Sequence, residues 1–132
     1  MVQKKKRMKS QQKVIWITGA SSGIGAALAK IYSRIGEKLI LSSRRELALE
    51  KIKSECDQPE NISILTLDLN DFDAAAETVK KAYEFFGSID VIINNAGISQ
   101  RSLIVDTQFD VFKKLIEVDY LGTIALSRAI LP

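Results

Sequence analysis

The stretch Thr18-Gly19-Ala20-Ser21-Ser22-Gly23-Ile24-Gly25 constrains this chain most, because it joins the apolar run Val14 to Ile17 to residues of helical spacing from Ala26 to Ile35. Glycines crowded at such a junction answer three geometric needs: a turn that a Cβ forbids, close approach of a ligand to the backbone, and tight packing of helix on strand. The first N–H groups of a helix have no partner inside it and carry the positive end of its dipole, so the turn predicts a site for a phosphate-bearing ligand. Ser21 and Ser22 add hydroxyl donors beside those groups.

Around this turn the hydropathy pattern alternates between two periods. Val14 to Ile17 is continuously apolar, as in a central parallel strand covered on both faces. Ile24, Ala27, Leu28, Ile31 and Ile35 then recur at helical spacing, and Gly36 supplies the stop. A second strand spans 38–43, with Arg44 and Arg45 directly after it. The helix that follows uses Leu47, Leu49 and Ile52 and ends near Asp57-Gln58-Pro59. A third strand over 62–67 runs into Asp68-Leu69. Asn70 or Asp71 is expected to cap a helix with apolar positions Phe72, Ala75, Val79, Ala82 and Phe86, stopped by Gly87. The fourth strand, 89–93, leads to Asn94-Asn95-Ala96-Gly97. The last helix, from Gln108 or Phe109 to Leu131, has almost no polar face and is expected to be buried on more than one side.

Alternating strands and helices predict an α/β fold, a doubly wound, Rossmann-like parallel sheet in the order 3-2-1-4. In such sheets ligands bind beyond the C-terminal strand ends, where the order reverses between the first and fourth strands. The glycine turn, Ser43-Arg44, Asp68-Leu69 and Asn95-Ala96-Gly97 all fall at those ends.

Composition narrows the partners. The formal charge of +3 hints at nucleic acid or membrane, but Lys4, Lys5, Lys6, Arg7 and Lys9 carry five of the 19 basic residues; without them 14 basic residues face 16 acidic ones. The excess belongs to a leader, residues 1–12, expected to be a mobile solvated tail, and residues 13–132 form the globular part, with no nucleic-acid partner expected. No apolar run approaches the ~18 residues of a membrane span. With no histidine and a single cysteine, Cys56, there is no metal cluster to expect and no internal disulfide. A reducing, cytoplasmic setting is expected.

These residues resemble the short-chain dehydrogenase/reductase family over 13–132. The segment 18–25 looks like that family's glycine motif, and Asn94-Asn95-Ala96-Gly97 looks like its second signature. The resemblance implies a nicotinamide dinucleotide held by Gly19, Ser21, Ser22, Gly23, Ile24 and Gly25, with Asp68 and Leu69 beside the adenine and Asn95, Ala96 and Gly97 along the nearer ribose. Charge then selects the coenzyme. A carboxylate at the end of the second strand favours NAD(H) by accepting from the ribose 2′-OH, whereas this chain has Ser43 followed by Arg44, whose guanidinium can pair with a 2′-phosphate. NADP(H) is therefore expected over NAD(H), with Arg45 read as a solvated helix entry.

The resemblance also shows what the chain does not carry. Family members place a lysine four residues after a tyrosine, so that the ammonium lowers the phenol's pKa from the same helix face. Here Gly36, Gly87 and Ile124 follow Tyr32, Tyr83 and Tyr120 at that spacing. Asp119 stands where the family commonly has a relay asparagine; a catalytic role competes with a helix carboxylate satisfied by neighbours. The expected fold is thus truncated after the fourth strand and its following long helix. Two functions follow as expectations. One is the cofactor-binding half of an oxidoreductase exchanging hydride with a small alcohol or carbonyl, inactive as this chain alone; the other is an inactive nucleotide-binding or dimerisation module. Pairing with a second copy is expected to use the last helix.

Overall fold

The structure, a computed structural model, describes residues 11–132; the expected basic leader lies outside the described residues except for Gln11 and Gln12. Four parallel strands, β1 (Val14–Thr18), β2 (Lys38–Ser42), β3 (Ile62–Ile64) and β4 (Val91–Ile93), form one sheet in the order β3-β2-β1-β4. The helices are α1 (Gly23–Arg34), α2 (Glu46–Ser54), α3 (Ala75–Phe86), α4 (Phe109–Leu115) and α5 (Thr123–Ile130), with a π-helical segment, Ile116–Gly122, joining the last two. The doubly wound sheet and its strand order are those the alternating pattern predicts.

β1 lies in the middle because every one of its residues is buried, with Trp16 and Ile17 fully so. Its alternate side chains feed two cores. Ile15 and Ile17 join Leu39, Leu41, Ala26, Ala29, Leu49 and Ile52 on one face, and Val14 and Trp16 join Ile40, Leu69, Val79, Val118 and Leu126 on the other. Trp16 brings a polar atom into that second core and satisfies it: its Nε1 donates to Ser42 Oγ at 2.9 Å.

Several elements differ from the sequence expectation. α1 turns its small residues inward, Gly25, Ala26, Ala29 and Ser33, while Ile24, Ile31 and Ile35 are exposed. Close seating of a helix on a sheet selects residues without bulk, so the larger side chains of the periodic pattern point outward. In α2 the same applies to Leu47, exposed while Leu49 and Ile52 are buried. Regular pairing of β3 ends at Ile64, although Leu65 N and Leu67 N still donate to Leu41 O and Ser43 O, each at 3.0 Å, and carry the chain on to Asp68.

α3 begins at Ala75 rather than at Asp71. Asp68 Oδ1 accepts from Asn70 N and Asp71 Oδ1 accepts from Ala74 N, so both carboxylates stabilise turns that delay the helix. The last helix departs furthest. Val118, Gly122 and Leu126 are buried, but Phe109, Ile116, Tyr120, Leu121 and Ile124 are exposed, so it is covered on one side rather than on several. Among the described residues no helix is long and apolar enough to cross a membrane.

Candidate functional site

A cavity of about 640 Å³ opens at the C-terminal ends of the strands, between β1 and β4 and across to β2 and β3. Its floor is the glycine turn. Gly19 has φ +66° and Gly23 φ +54°, values that favour glycine, and a Cβ on Gly19 would stand 2.8 Å from Ala96 Cα. Gly25 is fully enclosed: a Cβ there would strike Gly19 O and lie 2.7 Å from Asn95 Nδ2. The turn therefore presses directly on the loop after β4.

Hydrogen bonds complete that contact. Thr18 Oγ1, buried at the end of β1, accepts from Asn95 N at 3.1 Å and from Ala96 N at 3.0 Å, and donates to Ile93 O at 3.3 Å. Asn95 returns the link, its Nδ2 donating to Thr18 O at 3.1 Å and Gly19 O at 3.2 Å. Two segments 77 residues apart in sequence become one corner. Its consequence is a fixed α1 N-terminus: Ser22 is the entry residue, no side chain caps the helix, and its first N–H groups remain free to meet an anion.

The structure gathers Gly19, Ser21, Ser22, Gly23, Ile24, Ser43, Arg44, Asp68, Leu69, Asn95, Ala96 and Gly97 into the cavity wall. Gly25 alone among the predicted cofactor residues is not in the wall but behind it, where the missing Cβ makes room for the Gly19 carbonyl. Sequence reasoning missed Arg45, Leu67, Ile98, Ser99, Lys114 and Val118. Lys114 and Val118 had a legible signal, since residues four apart share a helix face, but nothing in the pattern aims that face at the strand ends. Arg45 is exposed at the entry of α2, as expected, and its Nη2 also donates to Ser21 Oγ at 3.2 Å.

Asp119 is not in the wall. Its Oδ1 accepts from Ile98 N at 2.8 Å and would stand 3.1 Å from a Cβ on Gly97, so it ties the loop after β4 to the π-helical segment. Three residues on, Gly122 lets the helix reach Leu69 O, a contact that any Cβ would prevent. The π-helical segment thus braces two of the four strand-end loops.

Electrostatics set the kind of ligand. Arg44, Arg45 and Lys114 face a single carboxylate, Asp68, in the wall. A cavity enriched in cations, on a globular part with slightly more acids than bases, suits a polyanion. Cys56 lies elsewhere, at the C-terminal end of α2, where burial pushes its thiol up and away from nucleophilic use. Among the described residues no group of histidine, cysteine and carboxylate side chains could hold a metal.

An uncapped helix N-terminus at the reversal point of a doubly wound sheet, with a mouth of cations, places this chain among the doubly wound α/β domains. The chain matches the family model for short chain dehydrogenase over residues 13–132 and belongs to that family of oxidoreductases. It is 46% identical over 124 residues to human dehydrogenase/reductase SDR family member 7, a match covering 90% of this chain and 37% of that protein. Among solved structures it is similar to the alcohol dehydrogenase from the archaeon Thermococcus sibiricus complexed with 5-hydroxy-NADP, with TM-score 0.83, 35% identity and coverage of 91% of this chain and 52% of that one. It is also similar to the 3-ketoacyl-(acyl-carrier-protein) reductase from Brucella melitensis complexed with NADH, with TM-score 0.84, 27% identity and coverage of 93% and 50%. The chain therefore spans between about a third and about half of the length of these relatives.

Proposed function

We propose that this chain supplies the coenzyme-binding part of an NADP(H)-dependent oxidoreductase acting on a small alcohol or carbonyl compound. The observation that carries this reading is the cavity mouth, where Ser43 and Arg44 follow β2 in place of a carboxylate and the uncapped α1 N-terminus lies opposite. The residues present fit a dinucleotide. The α1 N–H groups with Ser21 and Ser22 hold the pyrophosphate, Arg44 pairs with the 2′-phosphate, Asp68 and Leu69 flank the adenine, and Ala96 and Gly97 line the adjoining ribose. When bound, the nicotinamide gives or takes the hydride. Gly25 and Asn95 act on this site through the turn, one by its missing Cβ and the other by its amide donors.

A second reading rests on a specific observation: none of the three tyrosines is followed at four residues by a lysine. On that reading the chain alone binds coenzyme without turnover, as a nucleotide-binding or pairing module, and the apolar side chains exposed along the last helix are its association surface. Calorimetric titration with NADPH and NADH tests the first reading. NADPH is expected to bind the tighter, and Arg44→Asp to reverse the order by removing a fork to the phosphate and adding a repulsive charge, an effect of about 3 kcal/mol. An unchanged preference in Arg44→Asp would refute the assignment.

A further inference from the structure

Past Ile98 and Ser99 of the cavity wall, the loop after β4 ends in an apolar tip. Leu103, Ile104 and Val105 follow one another in sequence and are 69%, 78% and 83% exposed, and Phe109, which opens α4 just beyond, is 75% exposed. Single exposed apolar side chains are ordinary on a protein surface, but a consecutive run is not. The tip is held outward by its own bonds. Ile104–Asp106 is a 3₁₀ turn in which Asp106 N donates to Leu103 O at 3.0 Å and Thr107 N donates to Ile104 O at 3.4 Å. Thr107 Oγ1 donates to Leu103 O at 2.9 Å and accepts from Gln100 Nε2 at 3.0 Å, and the Ser102 hydroxyl bonds to both Gln100 and Thr107.

Four backbone groups of the tip, the carbonyls of Leu103 and Ile104 and the N–H groups of Asp106 and Thr107, are thus paired within the loop. Unpaired backbone is what makes entry into a water-poor medium costly, so this turn presents hydrocarbon with much of that cost already removed. Charge adds to the match. Over residues 101–114 Arg101, Lys113 and Lys114 face Asp106 and Asp110, and the leader brings Lys4, Lys5, Lys6, Arg7 and Lys9. Twelve extended residues reach up to ~40 Å, so the leader can share a surface with the tip although it joins the opposite end of β1. An apolar tip with cations around it complements an anionic lipid surface, hydrocarbon meeting the interfacial region and cations meeting the headgroups. A second copy of the chain fits less well, because the four apolar side chains by themselves offer on the order of 500 Å², below the ~800 Å² per partner of a stable interface.

We propose that Leu103, Ile104 and Val105, flanked by Phe109, dock the protein on an anionic lipid surface, with Arg101, Lys113 and the basic leader at the headgroups. The braces from Gln100, Ser102 and Thr107 keep the tip in the form that inserts. None of the tip residues lines the cavity, so the proposal stands apart from the coenzyme reading.

The test is co-sedimentation of the full chain with vesicles of phosphatidylcholine alone and of phosphatidylcholine mixed with about one third phosphatidylserine. The chain is expected to bind the mixed vesicles about 10-fold more tightly than the neutral ones, and to lose that excess as salt is raised. Leu103→Ser, Ile104→Ser and Val105→Ser combined should weaken binding to the mixed vesicles about 10- to 100-fold, and Ile104→Ser alone by less. The urea midpoint and the affinity for NADPH should hold in the triple variant, since these side chains already stand in water and outside the cavity. Val105→Trp reports insertion directly: Trp16 is fully buried and gives a constant background, so a blue-shifted emission on adding mixed vesicles comes from the tip. If the triple variant binds as tightly as the parent, the charge of the leader accounts for binding and the role of the tip is overturned. If the parent binds neither vesicle but light scattering shows a dimer that the triple variant loses, the occupant is a second copy and the proposal falls. Absence of both sedimentation and blue shift overturns it as well, and leaves the coenzyme reading untouched.

Discussion

The two sides of the cavity are built on different principles. At the β1–β4 corner, glycines are fixed by contact: Gly19 and Gly25 lie where a Cβ would meet the backbone or side chain of their neighbours, and Thr18 and Asn95 bond the two segments reciprocally. At the β2 rim, Ser43, Arg44 and Arg45 present side chains on the surface, joined to the turn by one side-chain bond. The first region cannot change without moving the fold, whereas the second can change charge with little effect on it. On the coenzyme reading proposed above, binding any dinucleotide would be a property of the corner, and choosing between dinucleotides a property of the rim.

The strongest way to break this contrast is Gly25→Ala. The added methyl must displace Gly19 O or Asn95 Nδ2, both of which belong to the interlocked corner. Overpacking of this kind costs about 3 kcal/mol, visible as a lowered urea midpoint, and coenzyme affinity should fall for NADPH and NADH alike. A stable Gly25→Ala protein with selective loss of only one coenzyme would show that the corner and the rim are not separate.

Asn95→Ala sharpens the same contrast at smaller cost. It removes the donors to Thr18 O and Gly19 O but leaves the bonds from Asn95 N and Ala96 N to Thr18 Oγ1. Half of the interlock survives, so a loss of about 1–2 kcal/mol in stability is expected. Hydrogen exchange should quicken at the turn and not at the α2 entry, and the ratio of coenzyme affinities should hold.

How legible each region was in the sequence follows from the same contrast. The corner could be read because sterics leave glycine no substitute: the 18–25 pattern and Asn95-Ala96-Gly97 announce close backbone approach, and the continuous apolar run of β1 announces a central strand. The sheet order followed from them. The rim was read only in part. Arg44 follows from its place after a strand, but the reach of Arg45 to Ser21 depends on a turn made by the Ser43 hydroxyl, which has no periodic signature.

Hydropathy also misassigned faces where packing is tightest. Ile24, Ile31 and Ile35 suggested the inner side of α1, yet contact with the sheet is made by Gly25, Ala26, Ala29 and Ser33, because closeness outweighs apolar area there. The last helix misled in a related way. Its apolar residues surround the axis, but the side that is buried is set by Val118, Gly122 and Leu126, the positions that meet the strand-end loop and the second core. The π-helical turn between Ile116 and Gly122 left no trace in the pattern, since a change from i→i+4 to i→i+5 bonding over a single segment is too short to register as a period.

The smallest expected effect separates position from charge at the far wall, the loop after β4 that Asp119 ties down from outside the cavity. Asp119 lies on the π-helical segment and accepts from Ile98 N through Oδ1, in the loop that continues the Asn95-Ala96-Gly97 corner. Asparagine keeps a carbonyl oxygen in the same place, so Asp119→Asn should retain the bond and change stability by less than about 0.5 kcal/mol. Alanine keeps neither, and Asp119→Ala should lose about 1 kcal/mol, the usual worth of one such bond. If Asp119→Asn instead shifts coenzyme affinity while Asp119→Ala shifts it equally, the carboxylate charge acts on the ligand and the far wall belongs with the rim. If only the alanine variant loses stability, the far wall belongs with the corner, and selectivity is confined to the β2 side of the cavity.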